Sequence, residues 1–239
     1  MKNHVVSNLE DLKKDVMNSC IRANRNIKHI NIVAVSKTIN KYPIVEAIES
    51  GQVCFGENKV QEAKKKWPEI RSTYPKVKLH MIGPLQSNKV KDALNIFDVI
   101  ETIDREKLVL EILKHKKLTK KEHEFYVQVN IGEEAHKNGC APNKAIEFIN
   151  ECNSQGLKIT GVMGIAPLNV APAPSTVSPA RLAAAALAAP FATVMLRSST
   201  SKVVELIVVV VPLTVSDPSM TTSPLESELT RGIQLPPCA

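Results

Sequence analysis

Residues 30–66 read INIVAVSKTINKYPIVEAIESGQVCFGENKVQEAKKK and contain the same pattern twice. A short apolar run, Ile30–Ser36, precedes a helical pattern over Tyr42–Ser50; a second run, Gln52–Gly56, precedes a charged helical pattern over Lys59–Lys66. Short Ile/Val-rich runs bounded by turn residues read as strands, and apolar residues three and four apart read as helices. Strand and helix alternating at this spacing means βαβ units, hence parallel pairing. Downstream the pattern continues with strands at Lys78–Ile82, Asp98–Thr102, Phe125–Asn130 and Ile159–Ile165. The intervening helices are expected at Ser87–Asn95, Arg105–Lys114 and Asn143–Gln155. Upstream, residues 7–26 predict an amphipathic helix through Leu9, Leu12, Val16, Cys20 and Ile21, with Ser7 as its cap and Glu10 three residues on. Six strands before Pro167 suit a (β/α) barrel or an open doubly wound sheet.

The chain has 239 residues, within reach of a single α/β barrel. Aromatics make up only 4%, so aliphatic side chains must build the core. The formal charge of +7 is spread along helical stretches without interleaved aromatics, which reads as solvated helix faces and not a nucleic-acid surface. Five cysteines, none in a spacing that ligates zinc, point to free thiols in a reducing compartment and to no metal site. The polar N-terminus has no apolar signal core, and the run Leu206–Val211 is too short to span a bilayer. A soluble cytoplasmic protein is expected, monomeric or weakly self-associating, with neither membrane nor nucleic acid as partner.

Composition changes abruptly near Asn169. Beyond Leu168 the chain is rich in Ala, Val, Ser, Thr and Pro, with Lys202 and Gly232 as its only lysine and glycine. Two segments follow on this reading: 1–168 as the barrel portion and 169–239 as an atypical tail. The tail is either a second region or sequence joined out of frame. It offers an Ala-rich helix over Ala180–Ala189 and one strand over Val203–Val211, closed by Pro212. A barrel needs two more strands, so an incomplete or irregular sheet is expected after strand six.

Polar residues end the apolar strands. Lys37 closes the first, Asn58 follows the second, His80 lies in the third with Gln86 after it, and Asn130 ends the fifth. In parallel α/β folds these strand ends converge on the ligand-binding face. A lysine at the end of an apolar strand has a dry stem, which favours a neutral, nucleophilic amine; it equally suits a lysine snorkelling to water. Asn58 suits a hydrogen bond to a ligand ring or the N-cap of the next helix. His80 suits acid–base work or a satisfied core position. Met163 is first of all a core residue, and Lys64, Lys65 and Lys66 read as a solvated helix face.

The phrases AVSKT (34–38), FGENKVQEAKKK (55–66), HMIGPLQSNKVK (80–91), IETID (100–104), VQVNIGEEAHKNG (127–139) and GVMGIAP (161–167) occur in this order. Together they make the chain resemble the pyridoxal phosphate homeostasis proteins, relatives of the alanine racemase N-terminal barrel. The resemblance implies a TIM-type barrel that binds pyridoxal 5′-phosphate (PLP), with Lys37 holding the cofactor as a Schiff base. It places Asn58, His80 and Met163 at the cofactor, and implies a carrier or buffer in vitamin B6 balance, not a catalyst. Racemases of this fold need a second domain with a catalytic tyrosine; the tail has none, the three tyrosines being Tyr42, Tyr74 and Tyr126. The family's glycine- and serine-containing phosphate loops are also missing after Leu168, where Ser198–Ser201 lacks the glycine that close backbone approach requires. A racemase-like enzyme and a non-binding barrel remnant are the competing readings.

Overall fold

The computed structural model describes residues 4–22, 26–134, 136–165, 191–196 and 207–212. Strands β1 (Asn31–Val35), β2 (Cys54–Glu57), β3 (Lys78–Met81), β4 (Val99–Ile103), β5 (Glu124–Val129) and β6 (Gly161–Ile165) alternate with helices α2 (Lys41–Glu49), α3 (Val60–Thr73), α4 (Val90–Ile96), α5 (Glu106–Lys116) and α6 (Ala145–Ser154). Helix α1 (His4–Arg22) precedes them, and β7 (Phe191–Leu196) and β8 (Ile207–Pro212) complete the sheet. The strands follow chain order around a closed barrel. β1 to β7 run parallel, whereas β8 runs antiparallel to both β7 and β1. Only ten residues, 197–206, separate β7 from β8. A parallel return needs a crossover of a dozen or more, so a short link dictates the antiparallel sense.

The barrel is therefore irregular after strand six. The tail supplies two strands where its sequence predicts one. Phe191–Leu196 was not expected, and the predicted Val203–Val211 is observed as Ile207–Pro212, ending at the proline. The expected helix over Ala180–Ala189 lies outside the described residues. An open doubly wound sheet is excluded by the pairing of β8 with β1.

Two apolar clusters follow from the two-residue alternation of the strands. Phe55, Leu79, Met81, Ile100, Phe125, Val127 and Val162 face outward and pack under helical residues such as Ile44, Trp67, Leu94, Ile112 and Ile149. Val33, Val35, Ile82, Val99, Tyr126 and Met163 form a second cluster made wholly of sheet residues and strand ends. That cluster is the barrel interior. Gly56 belongs to the same face: a Cβ there would lie 2.9 Å from Ile82 and 3.4 Å from Val33.

Helix α1 starts earlier than its sequence suggests. Ser7 is inside it, donating back to the His4 carbonyl at 3.3 Å, and caps nothing. Leu9, Val16 and Cys20 are buried as expected, but Ile21 is exposed. Helix α3 runs seven residues past the predicted end at Lys66 and contains Pro68. Its buried stripe of Val60, Ala63, Trp67 and Ile70 continues across the proline. Packing of Trp67 and Ile70 thus outweighs the lost N–H at Pro68. Among the described residues no helix is long and apolar enough to cross a membrane.

Candidate functional site

The register of the first strands sets the site. Val35 pairs with Gly56, Gly56 with His80 and His80 with Val99. Lys37 and Asn58 stand two residues beyond Val35 and Gly56, toward the carboxyl mouth, and His80 lies one step deeper. The side chains of Lys37, Asn58 and His80 thus belong to three consecutive strands of one barrel wall.

Lys37 occupies a tight turn between β1 and α2, half-buried. Among the described residues its Nζ has no hydrogen-bond or ion-pair partner, and the residues on either side of it are held firmly. The Ser36 hydroxyl donates to Glu57 Oε1 at 2.6 Å. The Thr38 N–H donates to Glu62 Oε1 at 2.6 Å. Thr38 has φ of 61°, a left-handed conformation that costs a β-branched residue free energy and persists only where neighbours enforce it. Lys66 spans the whole turn: its Nζ donates to the carbonyls of Ser36 at 2.8 Å and Ile39 at 3.1 Å. The same ammonium pairs with Glu57 at 2.7 Å and Glu62 at 3.2 Å. Trp67 Nε1 donates to Glu57 Oε1 at 3.1 Å, so this fully buried carboxylate has three donors on one oxygen. Lys66 is only 11% exposed, which corrects its reading as part of a solvated face. The signal available in the sequence was the Glu62/Lys66 pair at i,i+4, next to a tryptophan that must be buried.

Asn58 does not cap α3. The cap position is Lys59, with no side-chain hydrogen bond, and Asn58 Oδ1 is buried without a hydrogen-bond partner among the described residues. The Asn58 backbone is pressed against Gly83, where a Cβ would lie 2.2 Å from the Asn58 carbonyl oxygen. Only glycine permits that approach. Thr102 Oγ1 donates to the Gly83 carbonyl at 2.8 Å and Arg105 donates to that of Leu85 at 2.8 Å, anchoring the GPLQSNK loop from β4.

His80 and Glu101 form a buried pair inside the barrel, Nδ1 to Oε1 at 2.6 Å, leaving His80 Nε2 and Glu101 Oε2 without a geometric hydrogen bond among the described residues. Burial of the ring works against its charge, but the neighbouring Cys54 thiol and the Glu101 carboxylate outweigh it and raise the imidazolium pKa to about 9. Glu101, unmarked by sequence reading, is thus part of the site. Met163 is 1% exposed within the interior cluster, so its sulfur serves the barrel core beneath the mouth. Gln86 is exposed. The Asn130 amide is consumed by its own loop, donating to the Glu134 carbonyl at 2.9 Å and accepting from the Glu134 N–H at 3.3 Å. Neither is brought into the group.

The family model described as "Alanine racemase, N-terminal domain" matches residues 17–199. The pyridoxal phosphate homeostasis protein of Vibrio cholerae is 34% identical over 171 residues, covering 70% of this chain and 71% of that one. That of Pasteurella multocida is 32% identical over 162 residues, covering 67% and 70%. The solved structure of PipY from Synechococcus elongatus without PLP superposes with a TM-score of 0.59 at 31% identity, over 65% of this chain and 72% of that one. PipY has also been solved with PLP bound, with a TM-score of 0.57 at 29% identity, over 66% and 75%. Alanine racemase from E. faecalis, at 12% identity and a TM-score of 0.57, shares the fold over 81% of this chain and 52% of its own. The chain belongs to the alanine racemase N-terminal domain family, among its pyridoxal phosphate homeostasis proteins.

Proposed function

We propose that this protein binds pyridoxal 5′-phosphate as a carrier or buffer in vitamin B6 homeostasis, with Lys37 holding the cofactor as a Schiff base. The observation that carries this reading is an amine with no partner among the described residues, in a rigidly held turn at the mouth of the barrel. The residues present suit the aldehyde and ring of such a cofactor. Lys37 supplies the nucleophile, while Asn58 Oδ1 and His80 Nε2, on the two neighbouring strands, are buried polar atoms without a hydrogen-bond partner among the described residues. Asn58 and His80 would orient the ring, and Met163, Val35 and Ile82 would keep water from beneath it. Bound PLP supplies an electron-withdrawing ring and an aldehyde for amine exchange. PipY, whose structure is known with PLP bound, supports the cofactor assignment.

The names of the similar proteins support a homeostatic role over turnover.

Lys37→Ala should abolish covalent PLP while leaving the melting temperature nearly unchanged. Lys37→Arg should do the same, because guanidinium stays charged and cannot attack an aldehyde. Borohydride reduction followed by peptide mass analysis tests this: wild type should carry the reduced adduct on Lys37. An adduct of equal yield on another lysine in Lys37→Ala would overturn the assignment.

A further inference from the structure

We propose that Lys66, Glu57 and Glu62 are positioning residues for the amine of Lys37: a buried charged clamp that fixes the turn carrying it. The inference rests on Lys37 being the cofactor lysine, as proposed above, and on the polar contacts that hold the turn on both sides of it. Lys66 reaches from α3 to carbonyls on both sides of Lys37, at Ser36 and Ile39. Glu62, one helical turn earlier, takes the N–H of Thr38. Glu57, from the end of β2, takes the hydroxyl of Ser36 and neutralises Lys66. Every residue from Ser36 to Ile39 except Lys37 therefore has a polar group engaged by the clamp.

The cost of this arrangement points to its purpose. Glu57 is fully buried with Oε2 unpartnered among the described residues, and buried ion pairs of this kind do not stabilise a fold more than apolar packing would. Thr38 is held at positive φ, a conformation that the turn would leave if released. A clamp that binds the backbone on both sides of one side chain, at a cost in desolvation and strain, restricts where that side chain can point. Attack on an aldehyde needs such restriction. The neutral Lys37 nitrogen bonds to the aldehyde carbon, both amine hydrogens leave with the carbonyl oxygen as water, and a C=N bond remains. No oxidant or reductant is consumed. Correct placement of the nitrogen relative to the aldehyde carbon governs the rate of this step.

The test compares covalent and non-covalent binding in the full-length protein. PLP loading is followed by borohydride trapping and mass analysis at Lys37. Non-covalent binding is followed with pyridoxine 5′-phosphate, which has the ring and phosphate but no aldehyde. Glu62→Ala removes the acceptor for Thr38, and Lys66→Met removes the ammonium. In both, loading at Lys37 should slow by on the order of 10- to 100-fold, with pyridoxine 5′-phosphate affinity unchanged. Glu62→Gln keeps an oxygen for the Thr38 N–H and should recover most of the rate. Lys66→Met leaves the Glu57 charge buried; should it fail to fold, the Glu62→Ala and Glu62→Gln pair decides, because Glu62 is partly exposed. Wild-type loading rates in a folded Glu62→Ala would overturn the clamp while leaving Lys37 as the cofactor lysine. Equal losses of loading and of pyridoxine 5′-phosphate binding would also overturn it, by showing a merely structural role. Absence of loading at Lys37 in wild type would overturn both.

Discussion

The Glu101 carboxylate meets His80 at 2.6 Å with both side chains removed from solvent. His80 is raised in the folded protein to about 9, above its ordinary value. A group raised on folding contributes stability that is complete below its unfolded pKa, near 6.5, and that is lost as pH rises through the folded value. Stability should therefore decline between about pH 6.5 and 9. Replacing Glu101 by Gln removes the carboxylate charge that opposes burial, so the His80 pKa should fall. An NMR titration of the imidazole carbons reads this directly; an unmoved pKa in the variant would show that Cys54 alone holds the proton. Lys37 and Asn58 stand out in the sequence because they close or follow an apolar run, and His80 because it lies within one. Glu101 was not: it lies in a strand where alternation reports only that the residue faces inward. Its partner comes from β3, 21 residues away, and no local pattern carries that pairing.

Helix α3 shows why element boundaries were harder to read than element types. Its sequence pattern is read as ending at Lys66, and two residues on stands Pro68, which removes an N–H and crowds the preceding turn. The helix continues to Thr73 because Trp67 and Ile70 are buried on the barrel, a tertiary gain that local propensity does not register. Trp67 also stacks obliquely on Phe55, with ring centroids 5.4 Å apart, fixing α3 over β2. Pro68 itself points to solvent. Pro68→Ala should therefore restore the missing bond without disturbing the buried stripe, and stabilise the protein by about 1–3 kcal/mol. Thermal unfolding checks this, and a lowered melting temperature would show that the proline shapes the helix to fit the sheet. The same continuation explains Lys66. Three adjacent lysines looked like one solvated face, but successive helical residues are about 100° apart, so one of three can turn inward while the others stay wet.

The two ends of the barrel divide labour. Opposite the mouth, Asp98, just before β4, accepts the Leu79 N–H at 2.7 Å and pairs with Lys121 at 2.9 Å and with Arg71. Burial raises the cost of its charge, but the Leu79 N–H, Lys121 and Arg71 outweigh it and hold the carboxyl below the usual carboxylate range. A group lowered on folding contributes stability that is present above its unfolded pKa, near 4, and lost as pH falls through the folded value. Asp98→Asn should cost about 2 kcal/mol at neutral pH and flatten the acid limb below about pH 4. Denaturant unfolding across that range measures it, and an unchanged acid limb would place the dependence elsewhere. At this scale the parallel sheet was legible from the spacing of its first six strands. The closing hairpin was only half legible, since Phe191–Leu196 (FATVML) has no alternating apolar and polar pattern to mark it as a strand. The clamp around Lys37 has a further consequence, for the order in which the molecule is built. Its longest link, Lys66 to Ser36, spans 30 residues, whereas β1 must wait for β8 from the far end of the chain. Short links close before long ones, and the amino-terminal part of a chain leaves the ribosome first. The turn that holds the lysine can thus be assembled while the free edge of β1 still awaits its neighbour, which makes the wall of β1 to β3 a template for the last hairpin.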